Sequence, residues 1–154
     1  MDYPTIEILK SFLVAAKRNT YASGIAPSGE SRPGSFDLPY QEGEFRYLDS
    51  YLGGIDFIGE EAVWWKGTAV WGMNYYGWML AESVPDAFGH FLKTALSRIP
   101  EEAPFRGPEM YEEGDFRYTC RWTGDVMRFV GEEMIELKGQ PVYRLLFHGG
   151  RVMR

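Results

Sequence analysis

The chain has 154 residues and a mass of 17.7 kDa, enough for one domain to bury roughly 70% of its unfolded surface. Formal net charge is −6, and the sixteen Lys and Arg are scattered, so no basic stripe is available to neutralise phosphates and direct nucleic-acid binding is disfavoured. Cys120 is the single cysteine, which excludes an internal disulfide and offers no thiol pair for redox or zinc chemistry.

No uncharged apolar run approaches the roughly 20 residues of a membrane span, and no charged start with an apolar run and cleavage site opens the chain, so a cytoplasmic protein is expected. Five Trp, ten Tyr and ten Phe must be housed in a core, a cleft or an interface.

In chain order, Ile8, Leu9, Phe12, Leu13 and Ala16 fall on one face at helical spacing, with Pro4 in a first-turn position. Residues 19–41, rich in Gly and Pro, read as a long irregular segment and candidate lid. Phe45, Tyr47 and Tyr51 alternate as a strand. Two β-rich runs then flank Lys66-Gly67, where glycine in the second turn position predicts a two-residue hairpin. Phe88, Phe91, Leu92, Ala95, Leu96 and Ile99 mark a second helix; Ser83 and Asp86 suggest a capping box, Pro85 its first turn and Pro100 its end. Residues 100–113 read as irregular. Phe116, Tyr118, Cys120 and Trp122 alternate as a strand, and a second hairpin turns at Lys138-Gly139.

The second half echoes the first. EGEFRY at 42–47 matches EGDFRY at 113–118 at five of six positions, offset by 71. FIGEEAVWWKGTAVW at 57–71 matches FVGEEMIELKGQPVY at 129–143 at seven of fifteen, offset by 72. The expectation is a single α+β domain over 1–154, a tandem duplication of a helix-plus-three-strands unit. The first repeat runs over about 4–80 and the second over about 83–150, giving one antiparallel sheet with two helices on one face.

Pairing each hairpin symmetrically about its turn separates two strand faces. Trp64, Trp71, Met73 and Tyr75, with Met134, Tyr143, Leu145 and Phe147, form the expected core face. Glu61, Val63, Trp65, Val70, Asn74 and Tyr76 lie on the other, with Glu133, Ile135, Leu137, Val142, Leu146 and His148 as counterparts. A carboxylate among aromatics suits a cation or a polar ring, which makes Glu61, Trp65, Asn74, Tyr76, Glu133 and His148 candidate ligand-binding residues. In this register Glu133 lies nearly opposite Arg144, whereas Glu61 faces Gly72 and lacks a basic partner. The competing reading of the face is an interface between copies of the chain.

Asp49, Ser50 and His148 could compose a hydrolytic triad on paper, but no nucleophile-elbow sequence surrounds Ser50. His90 and His148 lack ligand spacing, so no metal is expected, and no glycine-rich phosphate loop is present; no cofactor is implied.

FIGEEAVWWKG, WGMNYYG, RPGS (32–35), DSYLGG (49–54), FRGP (105–108) and FHGG (147–150) resemble a bacterial family of unknown function whose members often carry an XRE-type helix-turn-helix and are labelled transcriptional regulators. Only a few residues precede the first helix here, so that DNA-binding module is expected to be absent. The two-copy architecture is more weakly similar to gyrase-inhibitor-like effector-binding domains, which bind small, often cationic, compounds between repeats. The resemblance implies non-enzymatic binding of a small effector. A protein-interaction or homodimerisation module is the alternative, and an enzyme of unrecognised type the third reading.

Overall fold

The computed structural model describes residues 3–154. Helix α1 (Ile6–Arg18) precedes strands β1 (Phe36–Glu42), β2 (Phe45–Gly53), β3 (Phe57–Trp65) and β4 (Thr68–Met79). Helix α2 (Phe88–Ser97) precedes β5 (Met110–Glu113), β6 (Phe116–Asp125), β7 (Arg128–Leu137) and β8 (Gln140–Arg151). All eight strands form one antiparallel sheet in the order β1-β2-β3-β4-β8-β7-β6-β5. The expected α+β duplication of a helix and three strands is therefore corrected. The structure is dominated by its sheet, with only 17% helix, and each helix is followed by four strands.

The two unexpected strands, β1 and β5, lie within segments that read as irregular. Both are edge strands. Pro39 sits inside β1, where a missing N–H is tolerated because an edge strand has one unpaired side, and β5 has only four residues of weak alternation.

Both helices pack on the same face of the sheet. Thr5 caps α1 by accepting from the Ile8 N–H at 3.3 Å, and Leu9, Phe12, Leu13 and Ala16 are buried beneath it while Ile8 stays exposed. Phe12 stacks on Phe45 at 4.6 Å and Phe91 on Phe116 at 4.9 Å, so each helix is pinned to its own outer strands. The Ser83–Asp86 capping box does not form: α2 starts at Phe88, and its N-cap residue is Ala87, left-handed at φ 63° with no side-chain cap.

The Lys-Gly hairpins turn as their sequence demands. Lys66 and Gly67 have φ of 50° and 79°, Lys138 and Gly139 of 52° and 78°, the paired positive values of a type I′ turn. Strand register nevertheless departs from the symmetrical one. Each returning strand carries one extra residue, Val70 in β4 and Val142 in β8, so Val63 faces Trp71 and Ile135 faces Tyr143. The bulged carbonyls are satisfied in matching ways, Val70 O accepting from Val152 N and Val142 O from Leu80 N, both at 2.8 Å.

A one-residue slip moves a strand's side chains to the opposite face. Trp71, Met73, Tyr75, Tyr143, Leu145 and Phe147 lie on the helix side as expected, but β3 and β7 are reversed relative to them. Glu61 faces Met73 rather than Gly72, and Glu133 faces Leu145 rather than Arg144. Both carboxylates are thus driven under the helices, at 3% and 0% exposure. Trp64 and Met134 turn outward instead.

Candidate functional site

Of the six residues singled out by sequence, the structure puts Glu61, Trp65 and Glu133 on the helix side and Asn74, Tyr76 and His148 on the open side, so they do not compose one site. Trp65 packs near Phe45 at 6.3 Å with the Lys66 ammonium 4.3 Å from its ring. Asn74 pairs with His148 across β4 and β8, and Tyr76 with Leu146, all four exposed. Arg144 bonds Glu132 at 2.8 Å, not Glu133.

The carboxylates organise two polar clusters beneath the helices. Glu133 is fully satisfied. Arg106 donates to it through Nε at 3.1 Å and Nη2 at 2.7 Å, Tyr118 at 2.6 Å and Tyr143 at 2.7 Å. Burial opposes the Arg106 charge, but the Glu133 carboxylate outweighs it and keeps the guanidinium pKa above its ordinary value.

At the corresponding positions of the first half, the same carboxylate is poorly served. Tyr47 stands where Tyr118 does, but its hydroxyl meets Thr20. Trp71 stands where Tyr143 does, and its indole N–H goes to Val126 O at 2.8 Å. Among the described residues only Lys17 remains, with Nζ 2.7 Å from Glu61 Oε2, an oxygen that receives no well-directed hydrogen bond. Glu61 therefore has a basic partner, contrary to its expected isolation. Lys17 also donates to Phe105 O, and burial pushes its pKa down.

A second carboxylate compounds the imbalance. Asp49 stands where the other half has Cys120, and it lies directly across β2 and β3 from Glu61 on the buried face. Like charges at such a pair repel. Burial, and next the Glu61 charge, raise the Asp49 pKa to about 7. Its hydrogen-bond donor is Tyr75, at 2.6 Å; among the described residues no lysine or arginine forms a salt bridge with it, although the charges of Arg106 and Lys17 offset part of the rise. Glycine makes that contact possible: a Cβ on Gly59 would lie 2.3 Å from the Tyr75 oxygen, so only a bare backbone lets the ring cross β3. Cys120, by contrast, is inert. Burial and the Glu133 charge push its thiol up to about 12. Iodoacetamide at pH 8 should therefore label the native protein no faster than it unfolds, and label denatured protein promptly.

The buried Asp49 forms the floor of a cleft of about 280 Å³ walled by Tyr21, Phe36, Tyr51 and Phe57 and lined also by Arg106. A smaller cavity of about 20 Å³, room for one water, lies inward against Lys17 and Glu61 and shares Tyr21, Asp49 and Arg106 with the cleft. Tyr21 comes from a 3-10 turn (Tyr21–Ser23) and Phe36 from the start of β1, so the segment read as a lid supplies two walls. Its middle is tied to the other side of β2, where Ser50 donates to Asp37 at 2.7 Å and accepts from Arg32 at 2.9 Å. Ser50 and Asp49 thus face opposite ways, and with His148 exposed on the open face no triad forms.

Sequence reasoning did not assign Lys17, Tyr75 or Arg106 to a site, although it set Tyr75 on the core face. For Lys17 a signal existed: it lies four residues after Leu13, within the apolar stripe of α1, where a charge needs a buried partner.

Among the described residues no helix is long and apolar enough to cross a membrane. Neither a curated protein nor a solved structure matches the chain. The family model described as "Domain of unknown function (DUF5680)" matches residues 49–152, a stretch that holds Asp49, Glu61, Tyr75, Arg106 and Glu133 but not Lys17, and the chain belongs to that family.

Proposed function

We propose that this domain is a non-enzymatic binding module for a small ring-bearing molecule that presents a positive or hydrogen-bond-donating group to Asp49. One observation carries the reading: a buried carboxylate at the floor of an aromatic cleft, repelled by Glu61 and with no salt-bridge partner among the described residues. Lys17 with Glu61 and Arg106 with Glu133 balance in pairs, so Asp49 is the odd charge. A cation placed there would gain a charge-assisted hydrogen bond and the faces of the surrounding rings. The sequence motifs shared with domains attached to XRE-type regulators support effector sensing over turnover.

The test is calorimetric titration of 2-phenylethylamine at pH 8 into wild type and Asp49→Asn. Asparagine keeps the shape and an acceptor for Tyr75 while removing the charge. Affinity is expected to fall by about 1.5–3 kcal/mol. In wild type it should also weaken as pH drops through about 7, where Asp49 takes up a proton. Equal affinity for the two proteins would end the reading.

A further inference from the structure

Resting on that reading, we propose that the ligand is a zwitterion of the aromatic amino acid class, its ammonium on Asp49, its carboxylate on the edge of Arg106 that Glu133 leaves free, and its ring among Phe36, Tyr51 and Phe57. The cleft holds more than an acceptor. Arg106 lines both the cleft and the inner cavity, and its guanidinium has five N–H donors. Glu133 engages Nε and Nη2, whereas Nη1 makes no hydrogen bond among the described residues. Tyr21 and Tyr51 also line the cleft, and among the described residues their hydroxyls likewise make no hydrogen bond. Unused donors thus belong to residues that line the same cleft as a carboxylate with no salt-bridge partner among the described residues.

A simple amine would satisfy Asp49 and leave the guanidinium edge and both hydroxyls unmet. A simple carboxylate would find those donors and meet Asp49 with repulsion. A molecule carrying both groups near one ring satisfies both sides, and sites built to hydrogen-bond a polar group discriminate strongly against analogues lacking it. Arg106 can serve a ligand without abandoning Glu133, because its bonds to Glu133 occupy one edge of the planar group. The aromatic walls supply the ring contacts. Phe36 and Tyr51 lie 5.3 Å apart by centroid, and Tyr21 meets Tyr51 edge-on at 6.5 Å.

Three matched probes test this at pH 8 on the wild-type chain: phenylalanine, 2-phenylethylamine, which lacks the carboxylate, and 3-phenylpropanoate, which lacks the ammonium. Phenylalanine is expected to bind at least tenfold more tightly than either. The Arg106→Lys variant, which keeps a charge for Glu133 but loses the second edge, should narrow the gap between phenylalanine and 2-phenylethylamine. Should that variant fail to fold, the three affinities on wild type decide alone. A preference for 2-phenylethylamine, or equal affinity for it and phenylalanine, overturns the zwitterion and leaves the Asp49 cation site standing. A preference for 3-phenylpropanoate, or no binding by any of the three, overturns both.

Discussion

Glu133→Gln is expected to destabilise the fold by about 3–5 kcal/mol, and Glu61→Gln by only about 1–2 kcal/mol, although the two glutamates occupy matching positions in the two halves of the sheet. The difference lies in what each leaves behind. Removing the Glu133 charge strands Arg106, which is buried and cannot shed its proton. It also turns a fourfold acceptor into a group whose amide faces donors from Tyr118 and Tyr143. Removing the Glu61 charge strands Lys17, but a lysine whose pKa burial already lowers can become neutral and still donate to Phe105 O. It also relieves the repulsion between Glu61 and Asp49. Urea unfolding at pH 7 and 25 °C measures both variants. Equal losses would show that the two carboxylates are equally well satisfied, and the asymmetry drawn between the halves would fall.

That asymmetry was partly visible in the sequence and partly hidden by one backbone feature. The helical stripes, the Lys-Gly turns and the faces of β4 and β8 follow from apolar spacing and turn chemistry, both local. The faces of β3 and β7 do not, because they depend on register, and register depends on the extra residues Val70 and Val142. A valine in a strand carries no mark of being a bulge. Once register is counted symmetrically from the turn, Glu61 emerges on the open face beside Asn74 and Tyr76, and a plausible but incorrect cleft assembles itself. The edge strands β1 and β5 escaped for a different reason: Pro39 and the shortness of β5 are tolerated only because each has one neighbour, a fact of topology rather than local pattern. Asp49 drew notice only as a partner of Ser50. Its real partners, Tyr75 and Glu61, are 26 and 12 residues away; Glu61 meets it across the regular β2–β3 ladder, and Tyr75 reaches it only through the bulged register of β3 and β4.

Asp49→Asn is expected to stabilise the unliganded protein by on the order of 2–4 kcal/mol at pH 8 and to give much less advantage near pH 4. The direction follows from the raised pKa. Asp49 has a folded-state pKa of about 7 against 3.8 for an ordinary aspartate, so between those values the native state holds a proton that the unfolded chain has released. Stability must then fall as pH rises through this window, because the unfolded state binds fewer protons. Below it the carboxyl is neutral in both states, and above it the native state carries the full penalty of a buried charge beside Glu61. Asparagine cannot ionise, so its stability should lack this slope while its carbonyl still accepts from Tyr75. Comparing urea midpoints of the two proteins at pH 4, 6 and 8 isolates the effect, since every other titrating group is common to both. A difference that stays constant with pH would mean that Asp49 titrates as an ordinary surface acid, and the charge assigned to the cleft floor would have to be given up. If the slope is found, the fold itself has no need of this charge, and adding a ligand that pairs with it should recover wild-type stability at pH 8 while leaving the Asp49→Asn protein unchanged.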